Sequence, residues 1–184
     1  MNRKQLAIIF SLLTFFSACS QGEKVTSQRA SNSGEQGPTS VDQQPNTTKE
    51  PPADVVRVTV DPAEVKAGST GEATIKLTVA QGYHINANPP SFPYLKATEI
   101  NVAPADGITP GKPVYPKSVT RKFAFSNDPL AVYEGETAIK LPLSVPGGVT
   151  GTHTLNGKLR IQACDEEACY PPRILDTSIT VKVK

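Results

Sequence analysis

Tryptophan is absent from the 184 residues, methionine occurs once, histidine twice and cysteine three times. Aromatic residues make up only 6% of the chain. Each shortage removes a class of function. Without tryptophan, an antibody-type domain built on a buried Trp between paired cysteines is excluded. Two thiolates could hold Cu(I), a soft ion. However, Met1 is the sole methionine, and His84 and His153 lie far from the cysteines in sequence. The four-ligand spacing of a zinc site is also missing. No metal or other cofactor is therefore expected. Lys and Arg nowhere form a block, so the electrostatic footprint of a nucleic-acid binder is lacking, and so is a polybasic membrane patch. Motifs for Ser/His/Asp hydrolysis or phosphate cradling are absent. Glu166-Glu167 reads as a solvated turn rather than a glycosidase pair.

The chain has no apolar run long enough to span a bilayer. Leu6 to Phe16 is eleven residues, whereas a spanning helix needs ~20. With Arg3 and Lys4 before it, this segment reads as an export signal over residues 1–18. It ends Phe16-Ser17-Ala18-Cys19, which resembles a bacterial lipobox, in which cleavage precedes the cysteine and that residue receives lipid. Phe16 stands where such boxes usually carry Leu. An ordinary cleavage after Ala18, leaving Cys19 as a free thiol, is the alternative. Ser20 after the cysteine corresponds, by the usual sorting pattern, to the outer membrane. Removing residues 1–18 takes away two of the 19 basic residues against 17 acidic ones, so the formal charge falls from +2 to zero.

Residues 19–53 are rich in Ser, Gln, Asn, Thr, Glu and Pro and nearly free of large apolar side chains. Such a segment cannot offset its ordering entropy by burial and reads as a lipid-anchored flexible tether. Residues 54–184 have the size of one domain. Their periodicity is two. Ala73, Ile75, Leu77 and Val79 alternate with polar residues, as do Ile139, Leu141, Leu143 and Val145. The same holds for Leu155, Leu159, Ile161 and Ala163, with Gly157 a weak position, and for Ile179, Val181 and Val183. Strict alternation marks strands with one buried face. Turn signals separate them: Asp61-Pro62, Lys66 to Ser69, Asp106-Gly107 and Pro146-Gly147-Gly148. No helical stripe appears, and prolines cut every candidate short. The expected fold is all-β, an immunoglobulin-like antiparallel β-sandwich.

What the domain does hold is one pair of cysteines, Cys164 and Cys169, with Asp165-Glu166-Glu167-Ala168 between them and Pro171-Pro172 behind. Left extended, the two would stand about 16 Å apart at ~3.3 Å per residue. A hairpin turn would place them opposite one another at about 4.5–5.5 Å, within reach of a disulfide. Leu155 to Cys164 reads as one long strand leading into this turn, and the two prolines, lacking N–H donors, end regular pairing. If the third cysteine is lipidated, none is left over, and a disulfide persists in an exported compartment.

Such a bridge has two readings. A loop this short gains only ~2 kcal/mol from a crosslink, against ~4–5 for a loop of about a hundred residues. It is thus a weak staple and a plausible switch. The acidic turn should raise the thiol pKa values. Since the thiolate is the attacking species, the free dithiol should be sluggish until docked to a partner. The alternative is a β-sandwich binding module whose disulfide only braces a recognition hairpin.

Gln162 to Pro172 resembles the Gln-x-Cys…Cys-Tyr-Pro-Pro motif of the N-terminal periplasmic domain of the thiol:disulfide interchange protein DsbD. Gly82-Tyr83-His84-Ile85-Asn86-Ala87-Asn88-Pro89 is similar to the Gly-Tyr-His-x-Asn strand of detached versions of that domain, and Val114 to Lys117 and Val132 to Gly135 match as well. The resemblance implies an immunoglobulin-like domain whose Cys164–Cys169 pair exchanges disulfides. The pair would take electrons from a membrane-embedded thiol reductant (DsbD- or CcdA-like) and reduce periplasmic thioredoxin-like clients, with Cys169 forming the mixed disulfide. It also implies a mobile aromatic cap, here Phe123 or Phe125 within Arg121 to Ser126. Tyr170, His84 and Asn86 would complete the pocket, the last two where full-length members carry tyrosines. Full-length members have five residues between the cysteines and this chain has four. The sequence given shows neither a transmembrane carrier nor a Cys-x-x-Cys, so a separate reductant is expected.

Overall fold

A computed structural model of the chain describes residues 50–184. The export signal, Cys19 and residues 19–49 of the tether lie outside the described residues. Twelve strands are numbered in chain order. They are β1 (Val56–Val60), β2 (Ala63–Val65), β3 (Thr70–Val79), β4 (His84–Asn86), β5 (Glu99–Val102) and β6 (Thr109–Pro110), then β7 (Val119–Arg121), β8 (Leu130–Tyr133), β9 (Glu136–Ser144), β10 (Gly151–Ile161), β11 (Ala163–Cys164) and β12 (Arg173–Val183). Among the described residues there is no helix.

The strands form three four-stranded sheets, ordered β1-β3-β9-β6, β2-β12-β10-β5 and β11-β4-β8-β7. Every named pairing is antiparallel except β2 beside β12. The four long alternating segments become β3, β9, β10 and β12. Their apolar residues, including Ile75, Leu77, Ile139, Leu141, Leu155, Leu159 and Ile179, are fully buried in one core between the first two sheets. This is the immunoglobulin-like β-sandwich. Apolar burial on this scale is the main term favouring the fold, at ~25 cal/mol per Å² removed from water.

The turns follow their chemistry. Asp106 (φ 52°) and Gly107 (φ 80°) both take the left-handed conformation, the geometry of a tight two-residue hairpin, and Ala105 and Ile108 bridge across them. Gly157 is a buried position against which the neighbouring strand closes. A Cβ there would meet Val102 at 3.0 Å and the Asn101 carbonyl at 3.3 Å.

The third sheet lies at one end of the sandwich and is covered on both sides. Ile85, Tyr133 and Ala163 face the main core. On the other face, Leu130 and Val132 join Leu95 and Phe123 in a second, small apolar cluster, with Phe92 packed on it. This sheet receives the cysteine segment.

Candidate redox site

Leu155 to Cys164 is not one strand. β10 pairs with β12 up to Ile161 opposite Arg173, while Ala163 and Cys164 pair with Ile85 and His84 in the third sheet. The chain changes sheets at Gln162. Cys164 then lies opposite Cys169, and the Tyr170 N–H donates to the Ala163 carbonyl at 2.8 Å. Between the Ile161/Arg173 and Ala163/Tyr170 pairs, Gln162 alone therefore faces both Pro171 and Pro172. Two residues against one is a β-bulge, which bends the strand and increases its twist. Prolines suit that position because a bulge does not need their missing N–H donors. The Pro-Pro pair thus turns the hairpin tip out of one sheet and into another.

The tip is closed by the Cys164–Cys169 disulfide, with Cα atoms 3.9 Å apart. Hydrogen bonds flank the pair on both sides, Asp165 N–H to the Ala168 carbonyl (2.9 Å) and Tyr170 N–H to the Ala163 carbonyl. The cysteines are therefore a non-hydrogen-bonded antiparallel pair, the type in which side chains approach most closely. The separation is nonetheless shorter than the ~4.5–5.5 Å expected from the sequence. Asp165 organises the four-residue turn. Its Oδ1 accepts from the N–H groups of Glu167 and Ala168, both at 2.9 Å, and its Oδ2 accepts from the Tyr170 hydroxyl.

The two sulfurs differ in access. Cys164 is fully buried at 0% exposure, while Cys169 is half-buried and lines a groove with Phe92, Tyr94, Leu95, Phe125 and Leu130. Phe92 and Tyr94 stack with centroids 5.4 Å apart, and Phe123 and Phe125 stack at 5.1 Å. Their burial separates the two cap candidates. Phe123 is 2% exposed and sits in the small cluster, whereas Phe125 is 38% exposed at the mouth of the groove. Val119, on β7, is exposed.

Behind the disulfide lies a polar network. The Gln162 Oε1 accepts from Asn86 Nδ2 at 2.9 Å and from the Lys96 N–H at 2.8 Å. Its Nε2 donates to the Tyr170 carbonyl at 3.1 Å. One side chain thereby ties together β4, the segment before β5 and the residue after Cys169. Asn86 is fully buried and its Oδ1 has no hydrogen-bond partner. His84 is buried with its ring edge-on to Phe123, centroids 4.9 Å apart, and its Nε2 lies 3.4 Å from Glu134 Oε2. Glu134 accepts two hydrogen bonds from Arg121, at 2.8 and 2.7 Å, and this guanidinium lowers the Glu134 pKa and keeps it anionic.

Cys164, Cys169, Tyr170, Phe123, Phe125, His84 and Asn86 thus gather at one end of the fold. The sequence reading assigned no role to Gln162, Glu134 or the Phe92–Tyr94 pair, and took Asp165 only as part of an acidic turn acting on the thiols. Gln162 and Glu134 stood within recognised motifs, but their roles depend on partners far along the chain. Among the described residues, no group of three or more His, Cys, Asp or Glu side chains is placed to hold a metal ion.

Fold and site together define an immunoglobulin-like domain bearing a short-loop disulfide with one buried and one accessible sulfur. The chain belongs to the family described as thiol:disulfide interchange protein DsbD, N-terminal, which matches residues 52–179. Among solved structures, the N-terminal periplasmic domain of ScsB from Proteus mirabilis is similar at 17% identity and a TM-score of 0.51. That match covers 72% of this chain and 48% of the other, and it speaks for the fold. The reduced DsbD N-terminal domain of Neisseria meningitidis aligns at 22% identity and a TM-score of 0.46, over 71% of this chain and 88% of its own. No curated protein sequence matches the chain.

Proposed function

We propose that this chain is an exported thiol:disulfide exchange protein whose Cys164–Cys169 pair takes two electrons from a membrane-embedded thiol reductant of the DsbD or CcdA kind and passes them to thioredoxin-like clients. Family membership supports the exchange chemistry. The observation that carries the reading is the unequal access of the two sulfurs. Exchange proceeds by thiolate attack through a mixed disulfide, and only Cys169 opens onto a surface groove. Cys169 is accordingly the client-linked thiol and Cys164 the resolving one. Phe125 is the cap over Cys169, Phe123 is the packing residue that supports it, and Tyr170, Asn86 and His84 shape the pocket. In this reading residues 1–18 are the export signal and Cys19 carries the lipid. Residues 19–53 then tether the domain of residues 54–184 to the outer membrane, on the periplasmic side.

The test is the reduction potential of the pair, measured by thiol trapping against a dithiol redox buffer. A value of about −200 to −250 mV lies in the range of working exchange proteins. A value well below about −300 mV would make the bridge a structural brace and refute the proposal.

A further inference from the structure

Four residues from different strands lie in one cross-strand row. β4 pairs with β11 so that His84 is directly opposite Cys164, and Cys164 is opposite Cys169. β4 pairs with β8 so that Ile85 is opposite Tyr133. Continuing that register by one residue sets Glu134 against His84, in agreement with the 3.4 Å approach of their side chains. Side chains of directly opposed residues share a sheet face, so the order across the face is Glu134, His84, Cys164, Cys169.

His84 is 6% exposed, and its Nδ1 is buried without a hydrogen-bond partner. With Nε2 turned to the Glu134 carboxylate, the proton belongs on Nε2 and Nδ1 carries a free lone pair. The negative charge beside Nε2 favours the tautomer that carries its proton on that nitrogen. Buried polar atoms are nearly always satisfied, and an exception calls for an explanation. In the disulfide form Cys164 has no proton to offer. In the dithiol form it has one, on the residue next to the ring.

We infer that His84 is the proton acceptor for the resolving thiol Cys164, with Glu134 as the residue that positions it. The inference rests on the exchange reading above. Cys164 needs such a partner because a buried thiol resists ionisation and solvent does not reach it. The reaction begins when the Cys169 thiolate attacks one sulfur of the client disulfide and expels the other as a thiolate. Cys164 then gives its proton to His84 Nδ1, and its sulfur attacks Cys169 Sγ. The Cys164–Cys169 bond forms, the bond from Cys169 to the client breaks, and the second client sulfur leaves as a thiolate. The imidazolium and solvent return protons to the client sulfurs. Two electrons have passed from the pair to the client. The charged and titratable groups around the ring are Glu134 after β8, Arg121 of β7, and Tyr83, Lys122 and Glu166 around the cavity that reaches it. The imidazolium formed in the step is stabilised by Glu134, whose own charge is held by Arg121.

The test uses the full chain carrying Cys19→Ala, reduced and then mixed with the small aromatic disulfide dithiobis-nitrobenzoate. Release of the first coloured thiol reports Cys169, and release of the second reports attack by Cys164. His84→Phe keeps an aromatic ring against Phe123. It should slow the second release on the order of a hundred-fold, the lower end of general-base contributions, and affect the first far less. Glu134→Gln should slow the second step less, and Glu134→Asp should restore part of the loss. An unchanged second step or equal slowing of both releases would overturn the inference. If His84→Phe does not fold, nitrogen NMR of the wild-type ring decides instead. Nδ1 should shift to a hydrogen-bonded position on reduction, and an Nδ1 indifferent to the redox state would overturn it. These rates start from chemically reduced protein and a small disulfide, so a potential in the structural range would defeat the exchange reading and leave them as measured.

Discussion

The Tyr170 hydroxyl donates a hydrogen bond to the Asp165 carboxylate across the turn that joins the two cysteines. The same carboxylate accepts two backbone N–H groups of that turn. What looked like part of an acidic run is therefore a local clamp that fixes the direction of Cys169. Tyr170→Phe removes one hydrogen bond to a charged group, a class worth about 1.5–3 kcal/mol. Urea unfolding of the oxidised variant should show a loss of that size with an unchanged m-value. Asp165→Ala should cost more and should speed alkylation of Cys169 in the reduced protein. Asp165→Asn, which keeps an acceptor oxygen, should fall between wild type and Asp165→Ala.

Gln162 occupies the point where the chain leaves one sheet for another, with three hydrogen bonds to three separate segments. Gln162→Ala leaves the Asn86 amide, the Lys96 N–H and the Tyr170 carbonyl without that partner. Leaving buried polar groups unsatisfied costs about 1–3 kcal/mol each, and partial access to water reduces this here. A total loss of about 2 kcal/mol is expected by denaturant titration. Gln162→Glu keeps the acceptor and loses the donor to Tyr170, so it should lose roughly half as much.

These two residues also show what the amino-acid pattern reveals and what it hides. β3, β9, β10 and β12 were readable because each buries one face, and nine to eleven residues are enough to display the alternation. β4 was not readable from periodicity, because all three of its residues are buried. It is covered by the main core on one side and by the cap segment on the other. The break between β10 and β11 was hidden for a different reason. The bulge lies on the opposite strand, at Pro171-Pro172, so Leu155 to Ala163 alternates without interruption while the partner sheet changes. The cysteines were conspicuous by spacing and by resemblance to a family motif. The groove was not, since Phe92 and Tyr94 reach Cys169 from the segment before β5 and nothing local marks that approach.

The two cap candidates should separate cleanly on mutation. Phe123 is buried among Leu95, Leu130 and Val132. Phe123→Ala opens a cavity there, for which losses of about 3–5 kcal/mol are usual. Phe125 stands at the groove mouth, and Phe125→Ala should change stability by less than about 1 kcal/mol, since an exposed site leaves little burial to lose. Its effect should fall on access instead. In the reduced protein, alkylation of Cys169 should accelerate several-fold in Phe125→Ala while alkylation of Cys164 stays slow. A Cys169 rate that does not change in Phe125→Ala would remove Phe125 from the cap role.

At a distance from the redox end, His153 and Asp106 form a second titrating pair, with Nδ1 to Oδ2 at 2.9 Å and Nε2 3.0 Å from the Thr150 carbonyl. The hydrogen bond to Asp106, and after it the one to Thr150, raises the His153 pKa above 6.5. A histidine whose folded pKa exceeds its unfolded value binds its proton more tightly when folded. Its contribution to stability is therefore complete below the unfolded pKa and is lost as pH rises through the folded one. Unfolding midpoints should consequently decline from about pH 6 towards pH 8 in this component. Asp106→Asn isolates it, because asparagine tolerates the left-handed backbone that Asp106 adopts in the turn. The variant keeps the turn and loses the charge, so the His153 ring should titrate at lower pH by proton NMR and the decline should flatten. An unaltered His153 titration in Asp106→Asn would show that the ion pair does not set this pKa.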